Sequence, residues 1–208
     1  MLTDGSGSGW LAGVAYERPA IALRVALTYF SPIDNEFDTA ESLAGAPRGV
    51  GSTIVTSPEA FNLDCQTGIA ANTLLFANVR YARYEDTILS PNFFGVATGG
   101  ASITDIDNSY GVNIGIGRKF SDSFSGSIAF GYEPEGDDDL VSPLSPTNGS
   151  RSISIGGQYT VGDIVLSGGV RYTMLGDARP ETGTPDVARA TFADNDALAV
   201  GFSIGFRF

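Results

Sequence analysis

The last twelve residues, Ala197 to Phe208 (ALAVGFSIGFRF), constrain the fold more than any other stretch. Leu198, Val200, Phe202, Ile204, Phe206 and Phe208 are large and apolar, whereas Ala199, Gly201, Ser203, Gly205 and Arg207 between them are small or polar. A strand points successive side chains to opposite faces, so this period of two collects all the bulk on one side. A strand of about ten residues with an apolar outer face and a small or polar inner face is what crosses a bilayer in a closed barrel. The expectation is an all-β, antiparallel up-and-down transmembrane β-barrel.

The composition agrees. Among 208 residues there are 27 glycines, 11% aromatics and only 17% charged residues, a mixture that suits tight turns and closely approaching strands. The net charge of −12 leaves too few cations to neutralise nucleic-acid phosphates, so no nucleic-acid partner is expected. No segment has the 18 or more consecutive apolar residues of a membrane helix. Cys65 is the single cysteine and there is no histidine, so neither a cysteine metal cluster nor the usual general base is present. An enzyme is not expected, nor a cofactor, nor a metal. Met1 to Gly9 lacks the basic and apolar regions of a signal peptide. An exported barrel needs such a leader, so the expectation under this reading is that the natural N-terminus lies upstream. The other reading is a cytosolic protein that never carried one.

Along the chain the alternation recurs about nine times, with no convincing helix. Strands are expected at Trp10 to Tyr16, Ala20 to Phe30, the second half of Ser52 to Ala70 after a break at Pro58, and Leu74 to Tyr84. They continue at Thr104 to Lys119, Phe124 to Tyr132, Ser150 to Val161, Ile164 to Leu175, and from near Phe192 to the end. The first nine residues and Ser31 to Gly51 read as loops. The connections alternate strictly between tight turns and long segments, and in a meander alternate connections lie at one end. Bacterial outer-membrane barrels have that asymmetry, with short periplasmic turns and long extracellular loops. Residues 1–208 are therefore expected to form one barrel domain in the outer membrane of a Gram-negative bacterium, with the C-terminus periplasmic.

The tyrosines give a second check. Tyr29, Tyr81, Tyr110, Tyr132 and Tyr172 share the parity of the bulky face and lie about nine to eleven residues from a tight turn, a height of roughly 25 Å. An aromatic ring with a wet hydroxyl suits a membrane interface. Tyr16, Tyr159, Phe206 and Phe208 fall at the turn end as a lower girdle, and Trp10 with Tyr16 brackets the first strand. Nine strands leave the first and last parallel, whereas single-chain bacterial barrels have even numbers. The count predicts the C-terminal part of a larger barrel; without the short first strand it would instead be an eight-stranded one.

The run GWLAGVAYERPAIALRVALTYFSPI, Gly9 to Ile33, resembles the long-chain fatty-acid outer-membrane transporters, the FadL-like family. The matching positions are Gly13, Tyr16, Pro19, Tyr29, Ser31, Pro32 and Ile33, followed by Ser57-Pro58 and a C-terminal hairpin ending in phenylalanine. The resemblance implies a fourteen-stranded barrel with an N-terminal hatch, of which this sequence supplies the last nine strands. It implies passive uptake of long-chain fatty acids or similar hydrophobic compounds through a lateral route in the wall.

Arg24, Arg80 and Arg171 have inner-face parity, and each buried cation needs a partner. That partner is either a fatty-acid carboxylate or a lumenal salt-bridge network with Asp64 or with strands and a hatch outside this sequence. Phe30 and Phe76 also point inward and either line an apolar path or pack on a hatch. Asp137, Asp138 and Asp139 lack the ligand spacing of a calcium loop and read as a solvated acidic loop, with divalent bridging to lipopolysaccharide as the other reading. Val200, Phe202, Phe206 and Phe208 are expected to be the signal read by the barrel-assembly machinery. The expected partners are thus the lipid bilayer, lipopolysaccharide, a hydrophobic small molecule and that machinery, around a monomer. A small structural or adhesive OmpA-like barrel is the competing class, followed by a barrel lipase, for which no serine elbow or histidine is present.

Overall fold

The computed structural model describes residues 1–104, 106–136, 139–143, 147–181 and 187–207, position 4 by its backbone alone. Its main body is one antiparallel sheet of nine strands. In chain order these are β2 (Leu11–Arg18), β3 (Leu23–Phe30), β6 (Glu59–Ala70), β7 (Thr73–Arg83), β8 (Ser109–Lys119), β9 (Phe124–Glu133), β11 (Ser150–Val161), β12 (Ile164–Leu175) and β14 (Asp196–Phe206). Each pairs with its neighbours in sequence, so the sheet is a meander with β2 and β14 at its edges. These are the nine strands read from the alternation, and Pro58, which has no N–H to give a ladder, separates β6 from the strand before it.

Four tight turns close one end. Between β2 and β3, Pro19 opens a 3₁₀ turn and Ala22 takes a left-handed conformation at φ 50°. Asn72, at φ 57°, turns β6 into β7, and Gly162, at φ 58°, turns β11 into β12. Asparagine and glycine are the residues that tolerate this region. Between β8 and β9 the Lys119 ammonium holds Asp122 at 2.7 Å, and the Ser121 hydroxyl accepts the Phe124 N–H at 3.1 Å.

Register preserves the two faces across all nine strands. A row of bulk runs Leu75, Ile116, Ile128, Ile155, Val170, Val200 from β7 to β14. One residue along on each strand lies the opposite face, where Gln66, Phe76, Gly115, Ala129, Ser154, Arg171 and Ala199 form a continuous row from β6 to β14. The bulky face is not covered. Ile155 is 60% exposed and Phe130 55%, in the middle of the sheet, while the buried apolar residues among those described are Ala60, Ala82 and Ala178. An apolar face this broad is far beyond the patches that water-soluble monomers leave open. Its natural solvent is hydrocarbon.

Three segments depart from the sequence expectation. Residues 1–9 and Ser31 to Gly51, expected as loops, contain strand. Here β1 (Leu2–Ser6), β4 (Ile33–Leu43) and β5 (Ala46–Ser57) form a three-stranded sheet ordered β1-β4-β5, on the long-connection side of the barrel strands. A short helix, α1 (Asn92–Thr98), interrupts the segment expected as the second long loop. The Glu41 carboxylate on β4 caps it, accepting the N–H groups of Phe93 at 2.9 Å and Phe94 at 2.8 Å. The Arg48 guanidinium sits over the Phe93 ring at 5.5 Å. Finally β10 (Leu140–Val141) pairs in parallel with β13 (Arg179–Pro180), tying together two long connections. Arg179 Nε donates to Asp139 at 2.6 Å across the same junction. Asp137 and Asp138 lie outside the described residues.

Candidate functional site

The inner face of the sheet is the surface on which polar chemistry gathers. From β8 to β14 it is built almost entirely of glycine, serine, alanine and threonine, so the few larger side chains stand out. A polar row crosses it: Asp64, Asn78, Asn113, Gly131, Ser152 and Thr173 are consecutive partners from β6 to β12.

The three inner arginines are separated. Arg24, the second residue of β3, stands at the turn end and pairs with Glu17 at 3.2 Å, both side chains more than half exposed. Arg80, toward the loop end of β7, donates to Asn62 at 2.8 Å and lies over the Phe30 ring at 5.6 Å. Asp64 is engaged by Asn78 at 2.7 Å, so the network expected between Asp64 and the arginines does not form. Arg171 has no carboxylate within salt-bridge distance among the described residues.

What surrounds Arg171 was not legible in the sequence. Gly131, on β9, faces Asn113 on β8 and Ser152 on β11. The position a β-carbon on Gly131 would take is 2.4 Å from Ser152 Oγ, 2.8 Å from Asn113 Oδ1 and 3.2 Å from Arg171 Nη2. Three polar groups from three strands therefore converge over one glycine. Ser152 is buried to 6% exposure. The guanidinium and the hydroxyl around this point can donate to a carboxylate or another small anion, while the Asn113 Oδ1 beside them is an acceptor. The only signal of this in the sequence is the glycine itself, one small residue among many.

Phe76 does point inward, but it does not stand free. It lies sideways over β8, where a β-carbon on Gly115 would come within 2.5 Å of its Cζ. Two hollows mark the inner wall. One of about 690 Å³ lies at the turn end and is lined by Gly68, Leu74, Gly117, Ser127, Gly156 and Gln158. One of about 470 Å³ at the loop end is lined by Asn78, Arg80, Asn113, Glu133 and Asn148.

On the outer face the aromatic residues line up by register. Tyr29, Phe61, Tyr81 and Tyr110 are consecutive partners on β3, β6, β7 and β8. Trp10 joins at the loop end, 5.1 Å from Tyr29, which is 4.9 Å from Phe61. Farther along the sheet Tyr132 faces Val112, and Tyr172 faces Ile153 and donates its hydroxyl to Asp196 at 2.8 Å. A charged collar sits above: Tyr29 donates to Glu59 at 3.0 Å, and Arg83 binds Glu59, Glu85 and Asp86 at 2.8 to 3.1 Å. At the turn end Tyr16 faces Val25, Tyr159 sits between Phe124 and Leu166, and Phe206 faces Ile164. Val200, Phe202 and Phe206 all lie exposed on the outer face, with Phe208 outside the described residues.

Charge divides along the same axis. Among the described residues the turn end holds five cations (Arg18, Arg24, Arg118, Lys119, Arg207) and three carboxylates (Glu17, Asp122, Asp163); the remainder carries seven against 17. Among loop groups the Asp139 carboxyl is held below its usual range by its hydrogen bonds to Arg179, and Asp122 is held down in the same way by Lys119. No group of His, Cys, Asp and Glu able to hold a metal occurs among the described residues.

The fold is shared with two solved structures. A crystal structure of a Pseudomonas aeruginosa FadL homologue superposes with a TM-score of 0.64 at 12% identity, covering 94% of this chain and 49% of that one. The CymD monoaromatic hydrocarbon channel superposes with a TM-score of 0.51 at 13% identity, covering 81% of this chain and 47% of that one. The chain thus spans about half the length of each. No protein-family model and no curated relative matches the sequence.

Proposed function

We propose that this chain forms the wall of an outer-membrane β-barrel through which hydrophobic compounds enter passively, and that an acid such as a long-chain fatty acid is among them. The observation that carries the reading is the inner-wall convergence of Arg171, Ser152 and Asn113 over Gly131, with Arg171 left without a carboxylate among the described residues. A cation near a low-dielectric wall needs a counter-charge, and a ligand carboxylate supplies one. Arg80 over Phe30 places a second cation beside an aromatic face, a pairing that suits a molecule with an acid head and an apolar tail. The shared fold with barrels that include a monoaromatic hydrocarbon channel supports hydrophobic cargo in general.

Under this reading the outer face meets the lipid bilayer and, at the loop end, lipopolysaccharide. The terminal strand with Val200, Phe202, Phe206 and Phe208 is what the assembly machinery reads, and the turn end is periplasmic. The barrel acts as a monomer, without enzymatic chemistry. An OmpA-like structural barrel fits less well, since it calls for eight strands and a side-chain-filled interior rather than nine strands with an inner wall of glycine and serine.

The test is uptake of radiolabelled oleate by a transport-deficient Gram-negative host expressing the full-length gene. Wild type is expected to restore uptake, and Arg171→Ala to lower it more for oleate than for a neutral hydrocarbon such as toluene. Failure of wild type to carry either compound overturns the transport reading. Equal losses for oleate and toluene overturn the role of Arg171.

A further inference from the structure

We infer that Gly115 is a positioning residue that stows the Phe76 ring flat against the inner wall, and that this pair sets the free cross-section of the passage. The inference rests on the barrel reading above, and it adds a size-determining element to it.

Phe76 and Gly115 are direct register partners on β7 and β8. Side chains on a strand normally stand roughly perpendicular to the sheet. Phe76 instead reaches across the gap of about 4.8 Å between neighbouring strands. Its Cζ lies 2.5 Å, and its Cε1 3.9 Å, from where β-carbons on Gly115 and Gly117 would be. The ring can lie there only because position 115 is glycine; a β-carbon at 117 would stand at ordinary van der Waals distance from it. The same Gly115 position is hemmed by the Ile128 carbonyl oxygen at 2.6 Å and Ala129 Cβ at 2.7 Å. The Ile128 carbonyl and Ala129 belong to β9 and yield to a β-carbon on Gly115 only if that strand shifts, whereas the phenyl yields by simple rotation. Its open direction is inward.

The consequence is local and large. The inner positions that follow Phe76 in its row are Gly115, Ala129 and Ser154, so nothing else projects at that point along β8, β9 and β11. Stowed, Phe76 adds an apolar floor without narrowing the path. Standing, it becomes the chief obstruction on this stretch of the wall. Pore diameter then decides which solutes pass, so the glycine selects by size through a ring that it does not chemically resemble.

The test places a reporter on the ring. With Trp10, the one tryptophan of the chain, changed to Phe, Phe76→Trp provides a fluorophore at the site, read with and without Gly115→Ala. The expected result is about a twofold rise in acrylamide quenching, and a red-shifted emission, when Gly115→Ala displaces the ring into the water-filled interior. Unchanged quenching in a protein that still runs as a folded barrel overturns the inference. Uptake then reads the consequence: Gly115→Ala lowers entry of a bulky substrate relative to a slim one, and adding Phe76→Ala restores the ratio. If the double variant stays as impaired as Gly115→Ala, strain between β8 and β9 is responsible and the size-setting role falls. Should Gly115→Ala fail to fold, Phe76→Ala alone still decides. A stowed ring predicts little change in size cut-off on its removal, and a marked widening refutes stowing. Because fluorescence needs no transport, absence of uptake in wild type removes the functional reading while leaving the ring's position measurable.

Discussion

Placing an arginine on each face of β11 gives the most direct test of which side meets lipid. Ile155 lies mid-strand on the bulky face, between Ile128 and Val170 in register and 60% exposed. Along the same face it stands between Ile153, which faces Tyr172 of the upper girdle, and Tyr159 of the lower one. Its neighbour Ser154 points to the inner wall, facing Ala129 and Arg171. Ile155→Arg puts a guanidinium near the bilayer midplane, at a cost of ~2–4 kcal/mol for a barrel in lipid. At about 1.4 kcal/mol per decade this is a roughly 30- to 700-fold fall in the folding equilibrium constant. Ser154→Arg adds the same group one residue away, opposite Arg171. There water solvates both guanidinium groups and their repulsion costs up to about 1 kcal/mol, so the variant is expected to stay within about 1 kcal/mol of wild type. The assay is equilibrium urea unfolding in phospholipid vesicles, followed by tryptophan fluorescence. Equal destabilisation by the two variants, or a harmless Ile155→Arg, would falsify the assignment of faces and with it the membrane reading.

Three further outcomes follow from named contacts. Glu41→Ala removes the acceptor of two helix N–H groups and is expected to loosen α1 by roughly 1–3 kcal/mol, seen as faster hydrogen exchange at Phe93 and Phe94 with the nine-stranded sheet unchanged; unaltered exchange there would refute the capping role. Ala22→Gly relieves a left-handed alanine and should raise stability by about 0.5–1 kcal/mol, measured by the same urea titration, and a loss would show that the turn is not strained. Asp139 is held below its ordinary carboxylate range by Arg179. The pairing therefore contributes above the unfolded value of about 3.9 and is lost as pH falls through the lower folded value. Exchange in Leu140–Val141 should accelerate in that acid window in wild type and be pH-insensitive there in Asp139→Asn.

Much of this architecture is written locally. The parity of β8, β9, β11, β12 and β14 is visible because each strand has one solvent on each side, and period two records that difference directly. The extramembrane sheet escaped notice for the same reason in reverse. Along β4 (IDNEFDTAESL) no bulky alternation is sustained, because this hairpin stands away from the hydrocarbon and no lipid demands an apolar side. Helix α1 was invisible because the group that caps it, Glu41, is 52 residues away in sequence. The candidate site divides likewise. Which arginines face inward follows from counting, but which of them lack a carboxylate does not: Arg24 found Glu17 across a turn, whereas Arg80 donates to Asn62 and Arg171 converges over Gly131 with Asn113 and Ser152 from two other strands. Glycines at 115 and 131 are the pivots of that wall, and a residue defined by what it lacks leaves no pattern to read.

The uneven division of charge also bears on how such a wall enters a membrane. With the turns remaining on the side of entry, each hairpin must carry its long connection through the hydrocarbon. Those connections hold most of the 17 described carboxylates, against seven cations, that lie away from the turn end. Charged groups are expensive at the bilayer centre, so the ascending ends face a high barrier and the turn ends a low one. On the proposed outer-membrane reading, insertion is expected to be vectorial, with reversal blocked once the loops are hydrated outside. Spontaneous insertion into vesicles should be slowed by anionic lipid and hastened by thinner bilayers. The asymmetry acts as a ratchet: one passage sets the orientation for the life of the protein.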